Sequence, residues 1–84
     1  MSLKITFSHK YDGRRLKHVL ADTIRRLRKE KNLTQEALAS MLGVERTTVT
    51  MWESGGITPP TKHLVTLAEA LGCTLDDLLR GEGT

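Results

Sequence analysis

The chain has little of what staples or spans. It contains a single cysteine, Cys73, and two prolines, which are adjacent. A lone thiol cannot close an internal disulfide, fits a reducing compartment and argues against a structural metal cluster. No stretch approaches the roughly 20 apolar residues that a membrane span requires. Residues 1–20 carry charges throughout instead of the apolar centre of a signal peptide. Repeats and low-complexity tracts are absent, and 84 residues leave no room for a cleft between lobes or a sizeable ligand-sensing domain. These absences predict one small, soluble domain, with the cytoplasm as its default location.

What is present is charge, unevenly spread. The formal net charge is only +3, but residues 1–31 hold ten Lys or Arg against three acids, and the remainder holds three bases against seven acids. A basic end favours a polyanion such as DNA, although a solvated helix face produces the same run. Arg14, Arg15, Lys17, Arg25 and Arg26 could equally meet an acidic partner, because sequence displaces them from the motif described below.

Apolar spacing predicts five helices. Leu16, Val19, Leu20, Thr23, Ile24 and Leu27 recur at three- and four-residue steps, giving a first helix over residues 14–31 with Asp12 and Gly13 before it. Thr34 is expected to cap a second helix through Leu42, which Gly43 ends by supplying a left-handed turn. A third helix spans residues 46–54 and stops at Gly55 and Gly56. Pro59 and Pro60 bar continuation, Thr61 is expected to cap a fourth helix through Leu71, and Thr74 caps a fifth. Asp77 stands where a shortened capping box needs it, among Leu75, Leu78 and Leu79. Those three leucines either close the core or form a dimer surface. Residues 1–13 form an N-terminal extension in which Leu3, Ile5 and Phe7 alternate with polar residues, as in a half-buried strand. A single strand cannot stand alone. The segment can pair across a dimer, lie against the helices, be disordered, or meet a protein partner. Residues 14–80 make the domain, and 81–84 a tail.

The informative segment is residues 35–54. Leu38, Leu42, Val44, Val49 and Trp52 point two short helices into a shared core, Ala39 is small where they cross, and Gly43 sits at the turn. Together they specify helix, tight turn, helix. Over residues 24–79, IRRLRKEKNLTQEALASMLGVERTTVTMWESG followed by two prolines and LVTLAEALGCTLDDLL resembles the lambda-repressor-like family of helix-turn-helix regulators, including the small phage-type repressors of the Xre family. The resemblance implies an all-α, compact five-helix DNA-binding domain. It also implies a sequence-specific transcriptional regulator, most simply a repressor that binds a palindromic operator as a homodimer.

In such proteins the second motif helix lies in the major groove and the preceding helix crosses the phosphate backbone. Carried onto this chain, Arg46, Thr47, Thr50 and Met51 face outward to read bases, and Val49 and Trp52 turn inward. Arg46 can donate two parallel hydrogen bonds to guanine O6 and N7. Thr47 and Thr50 can hydrogen-bond a base edge or touch a thymine methyl, and Met51 either touches a methyl or fills surface. Gln35 resembles the family's phosphate-contacting glutamine, and Thr48, Thr58 and Lys62 are further phosphate candidates. Arg28 and Glu53 resemble a charge pair that ties the first helix to the reading helix. Glu45 departs from the family's small capping residue. An acid there can cap, read a cytosine amino group or tune specificity by repulsion.

Two other functions compete. The enzyme candidates His9, His18, His63 and Cys73 form no recognised constellation, so neither catalysis, metal nor cofactor is expected. Cys73 reads as a small core residue. The stronger rival is an antitoxin or bridging module of the same fold, with residues 1–13 as its only segment suited to covering a partner.

Overall fold

In the computed structural model, residues 13–81 are described, with the backbone alone for 13–17. Residues 1–12 and 82–84 lie outside this range, so the strand reading and the side chains of Arg14, Arg15 and Lys17 stand outside the description, while Gly13, expected in the extension, begins a helix. The described residues form five helices: α1 Gly13–Glu30, α2 Gln35–Leu42, α3 Arg46–Ser54, α4 Thr61–Leu71 and α5 Leu75–Arg80. Helix α1 packs on α3, α4 and α5, and α2 packs on α3 and α4.

Helical spacing makes the core. Leu20, Ile24 and Leu27 of α1 stand four and three residues apart, and Leu64, Leu67, Ala68 and Leu71 of α4 repeat the pattern; all are buried. Leu38, Ala39 and Leu42 of α2 meet Val49 and Trp52 of α3 in the same cluster. Leu78 is fully buried in the core, and the half-buried Leu75 and Leu79 pack against the cluster. Trp52 is buried and its ring lies 5.5 Å from that of His63, tilted by 46°. The Thr23 hydroxyl, buried on the same face of α1, donates to the Val19 carbonyl at 2.8 Å. Among the described residues every buried side-chain polar atom has a hydrogen-bond partner.

The turns follow the chemistry of their residues. The Thr34 hydroxyl accepts from the Ala37 N–H at 2.9 Å, which satisfies one of the amides that a helix start leaves open. Gly43 takes φ 70° at the end of α2, and the following Val44 N–H reaches back to the Ala39 carbonyl at 3.0 Å. Thr74 and Asp77 form the reciprocal capping box at the start of α5. Two expectations at helix starts change. Pro60, not Thr61, is the cap of α4, because its ring-fixed φ of −65° with ψ 160° places it half in the helix and makes Thr61 the first helical residue. Glu45 caps α3 through its backbone only; its carbonyl accepts from the Thr48 N–H at 2.9 Å and its side chain makes no capping bond.

One polar contact runs through the interior. Arg28 of α1 meets Glu53 of α3 with Nε to Oε2 at 2.7 Å and an Nη to Oε1 at 3.1 Å, and both side chains are buried. The other Nη donates to the Leu33 carbonyl at 2.7 Å, which also fixes the α1–α2 turn. The hydrogen bond to Glu53 raises the Arg28 pKa, burial opposes that rise and Coulomb attraction adds to it, so the guanidinium keeps its charge.

Glu53→Ala is expected to cost about 3–5 kcal/mol, because it strands the Arg28 charge in the interior. Replacing both partners with apolar residues, Arg28→Met with Glu53→Leu, should cost less than the single change, as measured by urea unfolding. Gly43→Ala should cost about 1–2 kcal/mol from the left-handed backbone alone. No atom lies within 4 Å of the added Cβ, so Gly43→Asn should recover part of the loss.

Candidate nucleic-acid interface

Helix α3 has two chemically different sides. Val49, Trp52 and Glu53 are buried, whereas Arg46, Thr47, Thr50 and Met51 are exposed. A three-residue turn, Gly43 to Glu45, sets α3 against α2 so that the shared core buries α3's inward face. Arg46, in the first turn, borders an open hollow that it shares with Arg28, Thr34, Gln35 and Glu36. Met51 is 44% exposed, unusual for its type, and its carbonyl accepts the Gly56 N–H as the helix ends.

The residues expected to meet phosphate are placed unequally. Thr58 is exposed in the α3–α4 loop, and Lys62 is exposed in the first turn of α4. Thr48 is half-buried. Gln35 stands at the start of α2, where open backbone N–H groups and the helix dipole favour an anion. Its side chain, however, is engaged within the protein. Nε2 donates to Glu53 Oε1 at 3.1 Å, and Oε1 accepts from the Thr50 hydroxyl at 3.0 Å. The same hydroxyl lies 3.1 Å from the Arg46 carbonyl.

Sequence reasoning missed this link, since residues 18 apart on different helices share no period. It missed the Arg25 guanidinium too, which donates to the Glu53 carbonyl at 3.3 Å and helps hold the end of α3. A signal did exist for the basic run in α1. Arg25 pairs with Asp22 at 2.7 Å and Arg26 with Glu30 at 3.7 Å, at helical spacings visible in the sequence. Arg26 also donates to the Gly81 carbonyl at 3.0 Å. Among the described side chains of α1, the cationic groups of Arg25, Arg26 and Arg28 are therefore matched inside the chain.

Burial pushes the Cys73 thiol up, Asp77 adds to the rise and Lys31 opposes it, so at neutral pH the sulfur is a protonated, poor nucleophile. Among the described residues no group of His, Cys, Asp or Glu could hold a metal ion. No helix among them is long and apolar enough to cross a membrane.

Known proteins share this arrangement. The family model described as helix-turn-helix matches residues 24–78. The chain is 43% identical over 61 residues to the HTH-type transcriptional activator BcrR of Enterococcus faecalis, covering 73% of this chain and 30% of BcrR. It is 34% identical over 64 residues to the repressor protein C2 of Salmonella phage P22, covering 76% of this chain and 30% of C2. The chain thus spans under a third of the length of these two relatives. The solved structure of the P22 c2 repressor protein in complex with a synthetic operator superposes with a TM-score of 0.72 at 35% identity, covering 75% of this chain and 96% of that one. With its matched motif, the five helices of its described residues and these relatives, the chain belongs to the helix-turn-helix family, in the lambda-repressor-like form.

Proposed function

We infer that this chain reads the sequence of double-stranded DNA and regulates transcription, as a repressor that binds a palindromic operator as a homodimer in the cytoplasm. The observation that carries the reading is the division of α3, with an apolar and ion-paired side locked in the core and Arg46, Thr47, Thr50 and Met51 held outward on a rigid helix. Such a helix fits the major groove, whose base edges offer the donors, acceptors and methyl groups that these side chains complement. Arg46 takes guanine, Thr47 and Thr50 take base edges or a thymine methyl, and Met51 takes a methyl. Gln35, Thr48, Thr58 and Lys62 hold the phosphates that fix register. The operator complex of the P22 c2 repressor protein supports the duplex as ligand.

The relatives differ in regulatory sign, BcrR being named an activator and C2 a repressor. Repression needs only occupancy of the operator. It is the simpler outcome for a domain whose functional face is one reading helix.

Selection from a randomised duplex library at about 150 mM salt, where nonspecific phosphate attraction is already weakened, is expected to enrich two inverted half-sites about 34 Å apart. A single unrepeated site would overturn the dimer, and no enrichment would shift the function to protein contact. On the selected site, Arg46→Ala should relax the preference at one base position at a cost of about 1–3 kcal/mol. Lys62→Ala should weaken all sequences alike and lower the salt slope by about one unit. Uniform loss in both variants would show the assigned roles to be wrong.

A further inference from the structure

We propose that Thr50 meets DNA only as a hydrogen-bond acceptor, because the buried ion pair fixes the direction of a relay that ends on its hydroxyl, and that this makes Thr50 a residue that rejects guanine. The proposal rests on the reading of α3 as the DNA-reading helix and names what one of its side chains selects.

The relay begins in the core. Arg28 has donors only, so the ionised Glu53 carboxylate it holds at 2.7 Å has only lone pairs to offer its other neighbours. The side-chain amide of Gln35 must therefore present its nitrogen to Glu53, which it does at 3.1 Å. That choice turns the amide oxygen toward Thr50. An amide oxygen can only accept, so the Thr50 hydroxyl spends its one hydrogen on Gln35 at 3.0 Å. Its other protein neighbour, the Arg46 carbonyl at 3.1 Å, is an acceptor as well. Both inward contacts claim the same hydrogen, which leaves the exposed side of the Thr50 oxygen with lone pairs alone.

An acceptor in the major groove discriminates among bases. Adenine N6 and cytosine N4 are donors and can satisfy Thr50; guanine presents only N7 and O6, both acceptors, and opposes it. Thymine keeps its methyl contact with the threonine methyl. The second hydrogen on Gln35 Nε2 stays available, so the same glutamine can hold a phosphate while it orients Thr50.

The test is library selection followed by measured affinities for the wild type, Thr50→Val and Gln35→Ala. The wild type should disfavour guanine by about fivefold against adenine or cytosine at one operator position. Thr50→Val, which keeps the shape and removes the oxygen, should abolish that discrimination at the same position and raise thymine. Gln35→Ala should lower it in part, because the hydroxyl is then held only by the weaker bond to the Arg46 carbonyl, whatever happens to overall affinity. Without DNA, one side-chain amide proton of Gln35 should exchange slowly with solvent in both wild type and Thr50→Val, and fast exchange would break the relay at its first link. A well-defined site at which Thr50→Val leaves the tolerance for guanine unchanged would overturn the proposal while leaving the DNA-reading function intact. Absence of any selected site would remove both.

Discussion

Glu53 lies at 4% exposure with its carboxylate shared between donors from two other helices, and the placement of α3 depends on it. Arg28 reaches it from α1 and Gln35 from α2, while Arg25 of α1 holds its backbone carbonyl. Apolar packing of Val49 and Trp52 supplies the non-directional attraction that brings α3 to the core. It does not by itself fix the helix's rotation or height. Bonds of defined length and direction do, and they cost desolvation that is returned only when every partner is in place. The pair therefore serves geometry more than net stability.

That constraint explains why the outward face of α3 can be so polar. A helix of nine residues is too short to persist by propensity alone, and Thr47, Thr48, Thr50 and Val49 are poor helix formers because of their branching. The inward face supplies the order that the outward face lacks. The side chains of Arg46, Thr47 and Met51 are then free to be chosen for what they touch, whereas Thr50 is also tied to Gln35 of α2. Glu45 shows the same freedom one residue earlier. Its backbone starts the helix and its exposed carboxylate is left without a capping role.

Much of the fold was legible because its information is local. Leu64, Leu67, Ala68 and Leu71 declare a helix face by spacing alone, and Gly43 and Thr74 mark an end and a start through conformations and hydrogen bonds that few other residues allow. Pro60 was misread in favour of Thr61 because a capping side chain is easy to see in sequence and a capping backbone is not. The outward set on α3 was carried over from the family resemblance and agrees with the burial of Val49 and Trp52 on the opposite side. Gln35 is the instructive case. Its family likeness suggested an anion, but its contacts to Glu53 and Thr50 tie α2 to α3, and no pattern within either helix encodes that meeting. Arg28 and Glu53 were paired through resemblance; their spacing would not have found them.

The contact between Trp52 and His63 has an optical consequence. Trp52 is the chain's sole indole, it is 2% exposed, and it sits on the inner side of α3 beside an imidazole. Its fluorescence therefore comes from one place, the dry back of the helix whose front faces outward. Emission from a shielded indole is blue-shifted relative to one in water, and a nearby imidazolium quenches it more than a neutral ring does. The protein thus carries a built-in, label-free reporter of whether α3 is seated.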